Sequence, residues 1–582
     1  MLRDFTIENF NFDTRAGRVE ALDYHVYGKD WPVVYLIHND KELYIGETSS
    51  VANRMSQHLG NPERKALKQV KIIFDKEYNK SSILDIEQTL IQLYGADGMY
   101  KLQNKNGGQS RKHNYYQREK YQNKIDFIWE ELHARGMTKK SIFEIRNSDA
   151  FKYSPYNSLN EEQAQLCIDV LKDMLVKLNN GVLNATTLIQ GGAGTGKSVV
   201  MINMIHQLIK LQNYEMDFSE DGDDLNDLMK IKHLITSYLQ ENNKKSLKIA
   251  FILPMTSIRK TFKKVFTLTG NGLKGGMVMG PTNIKKEDLT DQYDVIFVDE
   301  AHRLPQYKNI SWRGTYKNKC EELYGKDAVP ERYTTLDWIV AASKYRVLVY
   351  DEAQTIKGSD INKDQFGHAL QPNPYYVVEK KYLHTQMRCQ GGRDFTEYLD
   401  NIFKCSQSER KFIGNYDVKL YQDCDEMIRH IKANDAKYRL CRVVAGYSWE
   451  WISKGCSSIE EVREKGKEDI EINGKKYIWN LQNEEWILRP TAIDEIGCVH
   501  TTQGYDLNYV GIIFGREIDY KNGEITINKD LFFDKNVKIG ATPEQLKTYI
   551  INAYKVMMER GIKGCYIYAY NEGLRAYLSQ FF

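Results

Sequence analysis

The eight residues Gly191-Gly192-Ala193-Gly194-Thr195-Gly196-Lys197-Ser198 follow the pattern G-x-x-x-x-G-K-[ST]. The chemistry they offer is a cradle for a polyphosphate. Glycines let backbone N–H groups turn toward an anion, and a following helix adds the partial positive charge of its N-terminus. Lys197 would reach the β- and γ-phosphates, and Ser198 would ligate Mg2+. A second constellation suits the same nucleotide. The apolar run Val295-Ile296-Phe297-Val298 ends in Asp299-Glu300. There Asp299 would hold Mg2+ through water and Glu300 would orient the attacking water. Residues 345–350 form another apolar run, ending in Asp351-Glu352-Ala353-Gln354.

These groups need a scaffold. Residues 186–190 read as a strand and 198–205 as a helix, so the glycine loop lies between strand and helix. The carboxylates fall at a strand's C-terminal edge, where open α/β sheets place their ligands. At 582 residues the chain is multidomain. Its net charge of +3 carries no global polybasic signal, so a nucleic-acid surface must come from local clustering. Nine cysteines are scattered without a C-x-x-C pair, which argues against a disulfide framework or zinc ribbon and for a reducing compartment. No secretory signal and no bilayer-spanning run is seen, so the expected location is cytoplasmic, with no membrane partner.

The N-terminal part carries other chemistry. Residues 31–38 and 43–48 read as two strands joined by a turn. A helix over 49–59 follows, capped by Ser49 or Ser50, then a strand over 70–74 and an amphipathic helix over 83–93. Arg54 and His58 share one face of the first helix at i, i+4 spacing. From Lys101 to Lys124, seven basic residues stand against the single acid Glu119, with Tyr100 just before them and Tyr115, Tyr116 and Tyr121 among them. That mixture suits a phosphate track with base stacking, or equally a solvated connector helix.

Residues 30–125 resemble the GIY-YIG endonuclease domain. Val33-Val34-Tyr35 stands for the first half of the motif and Tyr44-Ile45-Gly46 for the second, with Arg54, His58, Glu87 and Asn104 following in order. The resemblance implies phosphodiester cleavage with one divalent metal, Mg2+ or Mn2+. Glu87 would bind the metal. Tyr35, Tyr44 or His58 would deprotonate or position the attacking water, and Arg54 would neutralise the scissile phosphate. Asn104, Lys105, Arg111 and Lys112 are expected on nucleic acid. The departure is Val33 in place of the first glycine.

Residues 158–582 resemble superfamily 1 helicases, and more specifically the helicase-like ATPase domain shared by certain bacterial proteins and the Schlafen family. Gln163 looks like the adenine-reading glutamine. Thr256 and Arg259 stand where a strand backbone is gripped. Gln354 looks like a γ-phosphate sensor, Gln503-Gly504 like the motif coupling nucleotide and strand, and Arg388 and Arg560 like arginine fingers. Glu559 departs from the usual threonine before the second finger.

The expected fold class is α/β: a small mixed nuclease domain (1–135), a linker (136–157), then two RecA-like lobes with parallel sheets (158–375 and 376–582). The expected function is an ATP-dependent motor coupled to an endonuclease, acting on DNA in preference to RNA. Defence against foreign, viral DNA is one setting and repair or recombination another. The alternatives are a nucleotide-gated sensor that licenses cleavage without unwinding, and an RNA-directed nuclease. Oligomeric state is not legible.

Overall fold

The computed structural model describes residues 4–12, 30–104, 115–146, 148–155, 159–182, 184–192, 194–213, 225–269, 272–308, 310–351, 359–361, 363–370, 377–385, 390–414, 416–481, 486, 489–502, 505–538 and 541–582. Two compact units interleave along the chain. One takes Met1–Gly181, Ser198–Leu247 and Lys260–Val278, the other Val182–Lys197, Lys248–Arg259 and Met279–Phe582.

The first unit begins with a five-stranded sheet. Its strands are β1 (Thr6–Asn11), β2 (Val33–His38), β3 (Glu42–Thr48), β4 (Gln69–Phe74) and β5 (Lys101–Leu102), in spatial order β1-β4-β2-β3-β5. β2 and β3 form the expected hairpin, with Tyr35 opposite Gly46. The alternation of β2 sends Tyr35 and Ile37 to one face and Val34 and Leu36 to the other. Helix α1 (Val51–Gly60) packs Val51 and Met55 with Tyr35. Helices α2 (Lys80–Asp97) and α3 (Arg118–Ala134) share the opposite core, where Ile86, Leu90, Ile128 and Trp129 meet Leu36 and Ile45. Ser50 occupies the N-cap of α1, but its side chain makes no cap bond. Strand β1 was not expected from the sequence; it pairs antiparallel with β4 across some sixty residues.

The basic run of 101–124 is largely turned onto the fold's own acids. Lys124 is buried and pairs with Asp75 and, at 2.9 Å, with Glu77. Lys120 holds Glu77 at 2.7 Å, and Arg118 lies 3.4 Å from Asp85. These three are therefore tied into the fold, each by a carboxylate from β4's end or α2, and Lys124 is buried where a solvated connector helix would leave it exposed.

Also in the first unit are α4 (Glu161–Asn179), α5 (Lys197–Asn213) over its residues from Ser198, and α6 (Leu225–Glu241). Among the described residues the second unit carries two larger sheets beside two short two-stranded ones. Strands β6 (Ala185–Gly191), β7 (Ile249–Ile252), β8 (Val278–Met279), β9 (Tyr293–Val298), β10 (Ser343–Tyr350) and β11 (Val377–Leu383) take the order β11-β6-β10-β9-β7-β8. Ladders β11/β6, β6/β10, β10/β9 and β9/β7 are all parallel. Helix α7 (Thr256–Thr269) follows β7. The other sheet joins β12 (Asp417–Tyr421), β13 (Cys441–Ala445), β14 (Ile496–Gly497), β15 (Leu507–Phe514) and β16 (Gly561–Ala569) in the order β12-β16-β15-β13-β14, again parallel. Helix α8 (Pro543–Met558) leads into β16. The central strands β9, β10 and β15 are almost wholly buried and end in continuous apolar runs, as parallel strands covered on both sides must be, whereas the edge strands β11 and β12 carry charged residues.

The buried Lys124 gives a stability test. Lys124→Met leaves the Asp75 carboxylate buried without its cation, which costs about 3 kcal/mol. Thermal unfolding should show that loss, and Lys124→Met with Asp75→Leu should recover part of it.

Candidate active sites

The first site is built on the β2/β3 hairpin and α1. The Tyr35 hydroxyl lies 2.6 Å from His58 Nε2 and 3.4 Å from Arg54 Nε. The Tyr44 ring stands 6.2 Å from that of Tyr35 and 5.1 Å from that of His58. Tyr35 is fully buried and His58 nearly so, while Arg54 and Tyr44 are half-buried at the mouth. Burial pushes the Tyr35 phenol well above its ordinary pKa, and Tyr44 adds to this while Arg54 opposes it. Tyr35 therefore carries its proton at neutral pH.

Gly46 explains why the hairpin needs a glycine. A Cβ there would sit 2.2 Å from the Tyr35 hydroxyl oxygen, so the phenol lies across the glycine itself. Glu87, half-buried on α2, acts electrostatically on Tyr35. Among the described residues no cluster of three or more His, Cys, Asp or Glu could hold a metal. A lone carboxylate fits Mg2+, which keeps several of its waters.

Asn104 has a different place from the one expected. It is 5% exposed, its Oδ1 accepts from Ile45 N–H at 3.0 Å, and its Nδ2 donates to Ile45 O at 2.7 Å. It is a clamp on the middle of β3, not a nucleic-acid contact. Arg64 was not singled out from the sequence. It follows α1 in a short 3-10 turn, lies 3.5 Å over the Tyr44 ring and places Nη1 3.2 Å from His58 Nε2.

The second site lies where β6, β9 and β10 end side by side. Gly194 and Gly196 have φ of 79° and 77°, a left-handed conformation that strains any other residue. Lys197 is 8% exposed, and its ammonium donates to Gly191 O at 2.6 Å and Gly192 O at 2.8 Å. It also lies 3.5 Å from Asp351. Thr195 donates to Gly192 O at 3.1 Å.

From β9, Asp299 is 2% exposed and accepts from Glu300 N–H. Glu300 has φ of 53°, strain of about 1–3 kcal/mol that is characteristic of functional positions. His302, fully buried, stands 2.9 Å from the Glu300 carboxylate. Its Nδ1 accepts weakly from Asp351 N–H, at 3.4 Å. Burial pushes the Glu300 carboxyl up, but His302, Arg303 and Lys197 outweigh it and hold it below the usual carboxylate range. Both Asp351 and His302 were written in the sequence motifs, yet neither had a role until β9 and β10 were seen as neighbours.

The remaining expected residues have the following partners and places. Gln163 is 3% exposed and caps α4, with its N–H on Asn160 Oδ1 and its Oε1 accepting from Asn160 N–H. Arg259 turns inward, donating to Leu253 O, Pro254 O and Thr256 Oγ1, so it ties off the end of β7 and is not aimed at a strand. Thr256 itself is exposed at the start of α7. Arg560, 6% exposed, directs Nη1 toward Tyr505 O at 3.5 Å beside the other sheet. Ser198 opens α5 after Lys197. Lys105, Arg111, Lys112, Ala193, Gln354, Arg388, Gln503 and Gly504 lie outside the described residues.

A family model for the Schlafen group 3 DNA/RNA helicase domain matches residues 184–571. The chain belongs to that family. A second model, the GIY-YIG catalytic domain, matches residues 32–103, the stretch that holds Tyr35, Tyr44, Arg54, His58 and Glu87. Among curated proteins, the Saccharomyces cerevisiae "Uncharacterized protein YPL245W" is 27% identical over 454 residues, spanning 72% of this chain and 90% of the yeast one. Among solved structures, the Pif1 helicase of Candida albicans is 12% identical with a TM-score of 0.23, over 72% of this chain and 96% of its own. Domain III of the Thermotoga maritima replication initiation protein DnaA is 11% identical with a TM-score of 0.18, over 49% and 90%. Those two scores are too low to assign a shared fold. This Schlafen-type chain is a helicase-nuclease: it uses nucleotide, binds nucleic acid, and joins an NTP-hydrolysing helicase domain to an endonuclease domain. Among the described residues no helix is long and apolar enough to cross a membrane.

Two outcomes are expected. Gly46→Ala displaces the Tyr35 hydroxyl and should remove strand cleavage while leaving ATP turnover intact. His302→Ala removes the partner that holds Glu300 ionised, so burial then raises that carboxyl. The acid limb of the ATPase pH profile should move to higher pH, as read from steady-state turnover between pH 5 and 8.

Proposed function

We propose that the helicase domain moves or remodels nucleic acid with ATP and presents it to the N-terminal nuclease, on DNA in preference to RNA. The observation that carries this reading is the pairing of two separate hydrolytic constellations in one chain. Lys197, Asp299, Glu300 and Asp351 gather at adjoining strand ends, and Tyr35, His58 and Arg54 gather on one hairpin and helix.

At the nucleotide site, Lys197 would leave the Gly191 and Gly192 carbonyls for the β- and γ-phosphates. Glu300, held ionised, would accept a proton from the attacking water or orient it. Ser198 and Asp299 are the residues that would hold Mg2+. Gln163, Gln354, Gln503 and Gly504 would read the nucleotide, and Arg388 and Arg560 would reach it on closure, grouping the motor with superfamily 1. At the nuclease site, Glu87 would hold Mg2+ or Mn2+, which when bound stabilises charge on the pentacovalent phosphorus. Arg54 would neutralise the scissile phosphate, and Tyr35 would pass a proton between water and His58. Thr256, with Lys105, Arg111 and Lys112, would contact the phosphate backbone. Restriction of foreign DNA in the cytoplasm suits such a pairing.

The family's description names both DNA and RNA, which supports RNA as the second substrate reading. Purified wild type, Lys197→Ala and Glu87→Ala should be given Mg2+ with plasmid DNA, single-stranded DNA or RNA, with and without ATP. Cleavage should disappear in Glu87→Ala and should respond to ATP only when Lys197 is present. Cutting that ignores both ATP and Lys197 overturns the coupling, and faster cutting of RNA at matched salt selects the second reading.

A further inference from the structure

Arg64 sits in the nuclease site without an assigned role. Its guanidinium lies 3.5 Å over the Tyr44 ring, and its Nη1 is 3.2 Å from His58 Nε2. A guanidinium has only donors and does not give up its proton. The nitrogen that Arg64 faces must therefore carry a lone pair. That places the imidazole proton on Nδ1 and leaves Nε2 as an acceptor. The same Nε2 is 2.6 Å from the Tyr35 hydroxyl, so the Tyr35 O–H must donate to it. With its proton pointed at His58, the Tyr35 oxygen turns a lone pair toward Arg54 Nε, at 3.4 Å.

We propose that Arg64 is a positioning residue that sets the direction of proton transfer in the nuclease site and releases it when a substrate phosphate arrives. The proposal rests on the nuclease reading of this site. The groups facing His58 are Tyr35 from β2, Tyr44 from β3 and Arg64 beyond the end of α1, with Arg54 on its own helix. In the resting site a fixed cation beside Nε2 opposes an imidazolium. His58 stays neutral, Tyr35 keeps its proton, and water is not activated. A phosphodiester offers Arg64 two oxygens in the planar geometry a guanidinium matches. Once that anion shares the Arg64 charge, the imidazolium is no longer opposed.

The transfer then balances. A water molecule gives a proton to the Tyr35 oxygen as the Tyr35 hydroxyl proton moves to His58 Nε2. The resulting hydroxide bonds to phosphorus, the bond from phosphorus to the leaving oxygen breaks, and that oxygen takes a proton from solvent. His58 afterwards returns its extra proton to solvent. The stack on Tyr44 explains why the cation is an arginine: a lysine ammonium has no plane to lie on the ring, and its three donors share one nitrogen, so it cannot cover Tyr44 and reach back to Nε2 together.

The test uses the full chain with Arg64→Gln and Arg64→Lys. The proton chain predicts that kcat for plasmid cleavage falls about 10²-fold in Arg64→Gln, the scale of lost general-base catalysis. The acid limb of the cleavage pH profile should shift to higher pH, because removing the neighbouring cation favours the imidazolium. Arg64→Lys should not restore activity, whereas added guanidinium ion should restore part of it to Arg64→Gln. A residue that merely packs on Tyr44 would lower activity without moving the limb or responding to guanidinium, and that result overturns the proposal. A second measurement is independent of cleavage. In protein with ¹⁵N-labelled histidine, the signal lost in His58→Gln should report a bare Nε2 and a protonated Nδ1 at pH 7. A protonated Nε2 would contradict the assignment even in a chain that cuts; absent cleavage in wild type with the expected tautomer would count against the nuclease reading alone.

Discussion

A buried cation has to be held by close partners, and at the phosphate loop that cation is Lys197. Removing an ammonium from water costs several kcal/mol unless close partners replace the lost hydration. Here the partners are two carbonyls of its own loop and the carboxylate of Asp351. That solution exists only because β10 lies beside β6 in parallel register, so that Tyr350 faces Gln190 and both strands end together. β9 on the other side of β10 then delivers Asp299 and Glu300 to the same edge. The order β6-β10-β9 thus brings Lys197 and its carboxylate neighbours to one edge of the sheet. It also leaves the site ready, since a triphosphate offers Lys197 better acceptors than peptide carbonyls do.

The nuclease site meets a different constraint, close approach. Tyr35 must be buried yet reach His58, and the only path for its ring crosses the backbone of the facing strand. Gly46 gives that path by having no side chain. Asn104 keeps the strand straight at that point by pairing both its amide ends with Ile45. The backbone of β3 is thereby held at the residue just before the position where the phenol passes. Val33 sits fully buried in β2, where a strand residue needs only a side chain that packs.

Much of this was readable from residues in order. The phosphate loop, the β9 carboxylates and the Tyr35, Tyr44, Arg54, His58, Glu87 series are local patterns, and local patterns survive in a sequence. What was not readable depends on pairings across distance. β1 finds β4 far along the chain, and its alternation was too weak to mark it as a strand. Lys120 and Lys124 look like an exposed basic track until Asp75 and Glu77 arrive from β4's end. Arg259 looks like a phosphate contact until its donors are seen to close β7. Arg64 is one basic residue among many in sequence, and only the turn after α1 places it over Tyr44.

The two constellations have one natural link, a common polynucleotide. The direct measurement is ATP turnover by the Glu87→Gln variant of the whole chain, which should not degrade its activator, as DNA and RNA of increasing length are added. A motor serving the nuclease should turn over ATP faster with the same polymer that wild type cuts, and the stimulation should vanish in Glu87→Gln with Lys197→Ala. ATP turnover indifferent to every polynucleotide, beside wild-type cleavage of one of them, would contradict a helicase domain working on the nuclease's substrate.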